Sequence, residues 1–260
     1  MPALEIRDLS YSAGGRAILK DVSMTVPDGA LTVLCGPSGA GKTTLLRVLT
    51  GEVDPSGGDV LVDGVSVLDV PMRKRGIVLV DQQDRLFPHM TVRENVAFPM
   101  KIRRLSRAER AERLESLARR FHLESQMDLY PSQLSGGQRK LAAIMRALAA
   151  EPQALLLDEP FNGMDNPLHM EIRAFLSSLQ REQHLTVLLV THSKEDAFTL
   201  GDRIGFLFGG EMRLCRARGD VLSHISSVPD VEHFLGPVRA FPDGSWVFSD
   251  KLMQDGDVIV

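Results

Sequence analysis

The chain has 260 residues and sets 30 lysines and arginines against 34 acids, a formal charge of −4. This length suits one large α/β domain or a domain with an extension, and the charge balance argues against nucleic acid as the main partner. Two cysteines, Cys35 and Cys215, offer neither metal spacing nor a disulfide framework, as expected of a reducing compartment. No apolar run approaches the roughly 18–20 residues of a membrane span and no signal-peptide pattern opens the chain, so a soluble, cytoplasmic protein is expected.

Leu4-Glu5-Ile6-Arg7 and Val22-Ser23-Met24-Thr25-Val26 alternate like half-buried strands. Between them Tyr11 precedes a stretch expected to be flexible, Ala13-Gly14-Gly15. Its ring could stack on a base, though on the residues alone ordinary packing is the plainer reading. Leu31-Thr32-Val33-Leu34-Cys35 reads as a buried parallel strand with Cys35 in the core. It leads into Gly36-Pro37-Ser38-Gly39-Ala40-Gly41-Lys42-Thr43, which fits G-x-x-x-x-G-K-[ST], and then into a helix from Thr44 to Thr50 closed by Gly51. Strand, glycine loop and helix N-terminus make a phosphate cradle, because glycines let successive N–H groups face phosphate oxygens. Lys42 would reach the β- and γ-phosphates and Thr43 would ligate Mg²⁺.

Val60 to Val65 suggests a hairpin, so the first third mixes antiparallel strands with the phosphate loop. Ile77-Val78-Leu79-Val80 is another buried strand, ending at Asp81-Gln82-Gln83, where open α/β sheets place ligand contacts. From about Pro88 to Ala150 the texture is helical. Ser106 and Glu109 have capping-box spacing, and Ala111, Leu114, Leu117 and Phe121 recur at helical spacing. The seven arginines from Arg103 to Arg120 are interleaved with Glu109, Glu112 and Glu115. Glu109–Arg113 and Glu115–Arg119 are expected pairs, so the run reads as a solvated face. In Leu134-Ser135-Gly136-Gly137-Gln138, Ser135 and Gln138 again have capping-box spacing. Two glycines in the first turn cost roughly 1 kcal/mol each relative to alanine. A helix start that bare lets an anion approach its amides.

Ala154-Leu155-Leu156-Leu157-Asp158-Glu159 is a buried strand ending in two acids. In a phosphate-loop protein the first would hold Mg²⁺ and the second would orient and deprotonate attacking water. Asp165 follows in a short loop, and Asn166-Pro167 is expected to supply the N-cap and N1 proline of a helix with Leu168, Ile172, Phe175, Leu176 and Leu179 inward. A last buried strand ends at Thr191-His192-Ser193, the one histidine at the carboxyl end of a core strand. The hairpin from Ile204 to Leu214 closes the sheet.

Taken in this order, the motifs resemble the nucleotide-binding subunit of ATP-binding cassette (ABC) transporters over roughly residues 3–220. The resemblance implies an α/β fold: a RecA-like P-loop NTPase core, an N-terminal antiparallel β subdomain and an inserted α-helical subdomain at about 88–150, within an ATPase domain of residues 1–220. It implies ATP and Mg²⁺ as cofactors. Tyr11 would stack on adenine, while Gly36, Pro37, Ser38, Gly39, Ala40, Gly41, Lys42, Thr43 and Thr44 hold the phosphates. Gln82 would contact Mg²⁺ and attacking water, Asp158 and Thr43 would hold Mg²⁺, Glu159 would be the base, and His192 would contact the γ-phosphate. Ser135, Gly136, Gly137 and Gln138 would bind ATP held by a second subunit, with Asp165 at the seam of a head-to-tail homodimer.

Some positions depart from the common pattern. Asp81 stands where an apolar or aromatic residue usually precedes the glutamine, and Gln82-Gln83 leaves the register ambiguous until counted back from Leu86-Phe87-Pro88. Asn162-Gly163-Met164-Asp165 replaces the more frequent Ser-Ala-Leu-Asp. The stretch from Gln82 to Ala97 is most similar to importer ATPases for sugars, anions, iron or polyamines. The implied partners are integral membrane permease subunits, the second ATPase subunit and a substrate-binding protein, with no nucleic acid. The implied location is the cytoplasmic face of the membrane. An exporter or lipid-transport ATPase is the alternative. A soluble non-transport ABC ATPase is disfavoured, because no sustained heptads lie between Lys42 and Leu134 and each motif occurs once. Residues 221–260 read as a short extension of β texture, with strands expected at Trp246-Val247-Phe248 and Asp257-Val258-Ile259-Val260. It is too short for the β-rich regulatory domain such importers often carry, so a reduced module or dimerisation arm is expected.

Overall fold

Alternation in the first thirty residues builds one long hairpin rather than two short strands. In the computed structural model, which describes residues 2–240 and 246–248, β1 (Pro2–Ala13) pairs antiparallel with β2 (Arg16–Pro27). Ala13 faces Arg16 across Gly14 and Gly15, both at positive φ, so the stretch expected to be flexible is a two-residue turn. Tyr11 therefore lies inside β1. β4 (Gly57–Val62) pairs with β1's other edge, and β5 (Val65–Ser66) with β4, completing a sheet of order β2-β1-β4-β5.

The second sheet follows from the continuous apolar runs. It contains β3 (Leu31–Cys35), β6 (Ile77–Val80), β7 (Ala154–Asp158), β8 (Val187–Thr191), β9 (Arg203–Phe208) and β10 (Glu211–Ala217), in the order β10-β9-β3-β8-β7-β6. β3 runs parallel to both β8 and β9, and β7 parallel to β8 and β6, while β10 closes one edge antiparallel. Every residue of β3, β7 and β8 is buried, as expected of strands covered on both faces. One core joins Leu4, Ile6 and Val22 of the antiparallel sheet to Leu156, Leu188 and Val190, with Leu45 and Leu49 of α1 (Lys42–Thr50) packed between. Gly51 caps α1 in the left-handed conformation, as expected.

A second core joins the sheet to the helices. α2 (Val92–Ile102), α3 (Arg107–Arg120) and α4 (Gly136–Ala149) each begin with a complete capping box, at Thr91/Glu94, Ser106/Glu109 and Ser135/Gln138. On α3 the inward residues are Leu114 and Ala118, followed by Phe121; Ala111, expected inside, is exposed at a surface groove beside Arg107 and Arg110. Glu115–Arg119 forms at 3.5 Å, but Glu109–Arg113 does not. The Glu109 carboxylate is used by the Ser106 amide, and Arg113 turns to Glu151, which also takes Arg103. α5 (Asn166–Gln183) buries Ile172, Leu176 and Leu179. Its N-cap is Asp165 rather than Asn166, because the Asp165 carboxylate accepts the Leu168 amide at 3.1 Å.

α6 (Lys194–Leu200) follows β8. Beyond Asp220, α7 (Val221–Ile225) and α8 (Pro229–Leu235) place Val221, Val231 and Leu235 in the same core as the sheet. The expected strand Trp246–Phe248, β12, pairs with β11 (Val238–Ala240), and Phe248 packs edge-on against Phe198. The expected strand at 257–260 lies outside the described residues. No helix among the described residues is long and apolar enough to cross a membrane.

Candidate nucleotide site

Parallel strands point their carboxyl ends the same way, so the loops that follow them share one edge of the sheet. The phosphate loop follows β3, Gln82 follows β6, Asp158-Glu159 end β7, and His192 follows β8. They meet in a cleft of about 390 Å³ lined by Ser38, Gly39, Gly41, Lys42, Thr43, Thr44, Gln82, Asp158, Glu159 and His192. Gln82 lines it and Gln83 does not. Ile18 and Asn162 complete the lining and were missed from the sequence. For Asn162 a signal existed: it lies three residues past Glu159, in a turn closed by its amide on the Glu159 carbonyl at 3.2 Å.

α1 begins with Gly41 in the left-handed region at φ 103 and with no side-chain cap, so its first amides are left to a ligand. Lys42 is buried, and its ammonium donates to the carbonyls of Gly36 at 2.6 Å and Pro37 at 2.9 Å. Burial lowers its pKa, opposed by the charge of Glu159.

Asp158 is 5% exposed, and its Oδ1 has no hydrogen-bond partner among the described residues. Burial raises its pKa most; the Thr43 hydroxyl lowers it, and the neighbouring Glu159 charge raises it further. An orphaned buried carboxylate oxygen beside a hydroxyl and an amide is a set of hard oxygen donors. That fits Mg²⁺, which takes one or two carboxylates and completes its shell with water and phosphate. Accordingly, no group of three or more His, Cys, Asp or Glu gathers into a metal cage among the described residues.

Glu159 sits at φ 46, an uncommon conformation for a residue with a side chain, held by its amide bonding Val190 on β8 at 2.9 Å. Its Oε1 meets His192 Nδ1 at 2.9 Å, so the structure sets the histidine against the acid at the mouth of the cleft.

The other predicted residues lie elsewhere. Tyr11 is half-buried, pairs with Leu19 across the hairpin and packs against the core beneath it, outside the cleft lining. Ser135, Gly136, Gly137 and Gln138 open α4, also outside the cleft. The Ser135 hydroxyl takes the Gln138 amide at 3.2 Å, and Gln138 Oε1 takes the Ser135 amide at 2.9 Å, leaving the amides of Gly136 and Gly137 at the first turn. Bareness alone does not explain the second glycine. A Cβ on Gly137 would come within 2.7 Å of the Leu168 side chain, whereas Gly136 faces nearly open space.

With this geometry in view, the relatives decide the family. Residues 19–162 match the model of the ABC transporter family. The chain belongs to that family. It is 41% identical over 244 residues to a sulfate/thiosulfate import ATP-binding protein of Synechocystis, covering 94% of this chain and 68% of the relative. It is 37% identical over 240 residues to a spermidine/putrescine import ATP-binding protein of Aggregatibacter actinomycetemcomitans, covering 92% and 64%. Among solved structures, the cbiO1 component of the cbiONQ transporter complex from Clostridium perfringens superposes with a TM-score of 0.78 at 28% identity, over 89% of this chain and 95% of the other. A dimeric cassette in a post-hydrolysis state bound to ADP and Pi gives 0.73 at 31% identity, over 83% and 98%. The cassette described here is an ATP-binding, ATP-hydrolysing subunit, with the expected α/β fold of a P-loop core and an added antiparallel sheet.

Proposed function

We propose that the cassette drives solute import by closing as a dimer around two ATP and transmitting that closure to a separate membrane permease. The observation that carries this reading is the convergence of Lys42, Gln82, Asp158, Glu159 and His192 on one cleft at the ends of four strands. The uncapped N-terminus of α1 and the Lys42 ammonium bind the phosphates of ATP. Asp158, Thr43 and Gln82 would hold Mg²⁺, which when bound would neutralise charge developing on the phosphates. Glu159, oriented by His192, takes the proton of the attacking water, and Gln82 positions that water.

The α4 start faces a second copy. Gly136 and Gly137 offer two amides to the γ-phosphate of the partner's ATP, Ser135 and Gln138 hold them in place, and Asp165 fixes the beginning of α5 at the seam. Tyr11 stacks on the adenine. The permease docks beside the glutamine loop, where Phe87 and Phe98 lie 4.9 Å apart and Met90 is half-buried. In this reading the chain works at the cytoplasmic face with a binding protein that delivers the solute. The import relatives are named for different cargo, sulfate/thiosulfate in one case and spermidine/putrescine in the other.

The test is reconstitution with a co-purified permease. ATP turnover should rise on coupling, and cysteines placed at Phe87 and Phe98 should crosslink to the permease. Crosslinking through the C-terminal segment alone would sink the docking assignment, and co-purification with nucleic acid instead of a permease would sink the transport reading.

A further inference from the structure

Five residues, Asp81 to Arg85, carry Gln82 from β6 to the helical lobe, and one helix grips this loop at several points. Lys140 of α4 is 3% exposed, yet it carries an ammonium group. That ammonium meets the Asp84 carboxylate as an ion pair, without a hydrogen bond to its Oδ1, and donates to the Asp81 carbonyl at 3.4 Å. Six residues further along α4, Arg146 donates to the carbonyls of Arg85 at 2.9 Å and Asp84 at 3.3 Å. Arg85 closes the loop by pairing with Asp81. The loop is not a relaxed one: Asp84 and Arg85 are consecutive residues at φ 61 and φ 34. Such a conformation persists only where surrounding contacts over-determine it. A buried ion pair is weak evidence for stability, since an apolar pair of similar volume would often hold the fold as well. What the charged pair adds is a fixed geometry.

We propose that Lys140 is a positioning residue for Gln82: through Asp84 it locks the glutamine loop to the helix whose first turn carries Ser135, Gly136 and Gly137. The inference rests on the reading of Gln82 as the residue that positions water. It means that the amides offered to the partner's ATP and the glutamine of the chain's own site move as one piece.

The experiment uses the full-length chain, with fluorescent ATP-analogue titration for affinity and steady-state turnover for kcat. Lys140→Met and Asp84→Asn should each lower kcat by roughly tenfold to a hundredfold, as expected when a reacting group is displaced by about an ångström, with nucleotide affinity within about twofold. Lys140→Arg, which keeps the charge, should restore most of the loss. The deciding measurement is Gln82→Ala in the Lys140→Met background, which should add almost nothing, because both changes remove the same function. Full additivity, or normal turnover in Asp84→Asn, would overturn the proposal even if Lys140→Met itself fails to fold. If Gln82→Ala alone turns over normally, it is the reading of Gln82 that fails, and a kcat loss in Asp84→Asn would then belong to some other part of the loop and count against the latch.

Discussion

Two helices in this molecule start on glycine, and the two starts are built for different tasks. α1 begins on a left-handed glycine with no side-chain cap, and Lys42, Asp158 and Glu159 stand around it in one cleft. α4 begins on a closed capping box outside that cleft. Its glycines do unlike work: Gly136 stands in the open, and Gly137 clears space for Leu168 of α5. The comparison teaches that a glycine at a helix start can mark a backbone angle, a close approach of another side chain, or an opening for a ligand. Only the surroundings tell these apart. In the proposed scheme the first start serves a ligand site within one chain, and the second is half of a site completed by a partner.

The largest effect expected at the α1 end is on chemistry. Glu159→Gln should let ATP bind but slow hydrolysis by about 10²–10⁴, the range for losing a general base. In the proposed scheme ATP then holds the chains as a stable dimer, seen by light scattering, and ADP does not. Turnover near wild type would remove Glu159 from the role. Lys42→Ala comes next. Its charge acts on phosphates already present in the ground state, so binding should weaken, by about ten- to a hundredfold for a lost charge-assisted hydrogen bond. Titration of a fluorescent ATP analogue measures it, and equal affinity would contradict the assignment.

At the α4 end the two glycines can be separated. Gly137→Ala forces Leu168 to move and should cost about 1–3 kcal/mol in urea unfolding, toward the low end because Leu168 is only half-buried. Any loss of dimerisation in that variant is therefore confounded with packing. Gly136→Val meets almost nothing in the chain itself, so it should leave folding and monomer affinity for ATP intact while abolishing ATP-driven dimerisation. A Gly136→Val chain that dimerises and hydrolyses normally would reduce the α4 start to a structural cap.

Much of this was legible from local chemistry. Continuous apolar runs marked β3, β7 and β8, and the acids, the glutamine and the histidine were found because each follows such a run. Capping boxes at Ser106 and Ser135 could be read because their partners lie three residues away. What could not be read depends on contacts distant in the chain. The packing reason for Gly137 lies on α5, the partner of Arg113 is Glu151, and Lys140 reaches Asp84 across the chain. Asp165 was recognised as important but not as the N-cap of α5. Asn166 beside Pro167 reads as the cap, and only the backbone direction shows that the Asp165 side chain faces the Leu168 amide.

The smallest predicted effect concerns what the α1 end costs when it is empty of ligand. Asp158 is buried with an orphaned oxygen, and its pKa lies above the ordinary 3.8, raised most by burial and further by Glu159 against the lowering by the Thr43 hydroxyl and Lys42. A raised native pKa means that the folded chain holds this proton more tightly than the unfolded chain does. Below the ordinary value the group is neutral in both states and costs nothing. As pH rises from there through the raised native value, the unfolded state loses its proton first, and the folded state is progressively penalised. At neutral pH the whole penalty is present. Asp158→Asn should therefore raise the melting temperature of the nucleotide-free chain in chelator by roughly 2–4 °C, the shift expected of about 1 kcal/mol in a domain of this size. The gain should shrink as pH falls through the raised native value and be gone below about 4. Added Mg²⁺ with ATP should stabilise the wild type more than the variant, because only the wild type retains the carboxylate proposed to hold the metal. A variant that melts at or below the wild-type temperature at pH 7 would show that Asp158 is already paid for inside the apo fold, and the argument from its unpartnered oxygen to a metal would lose its footing.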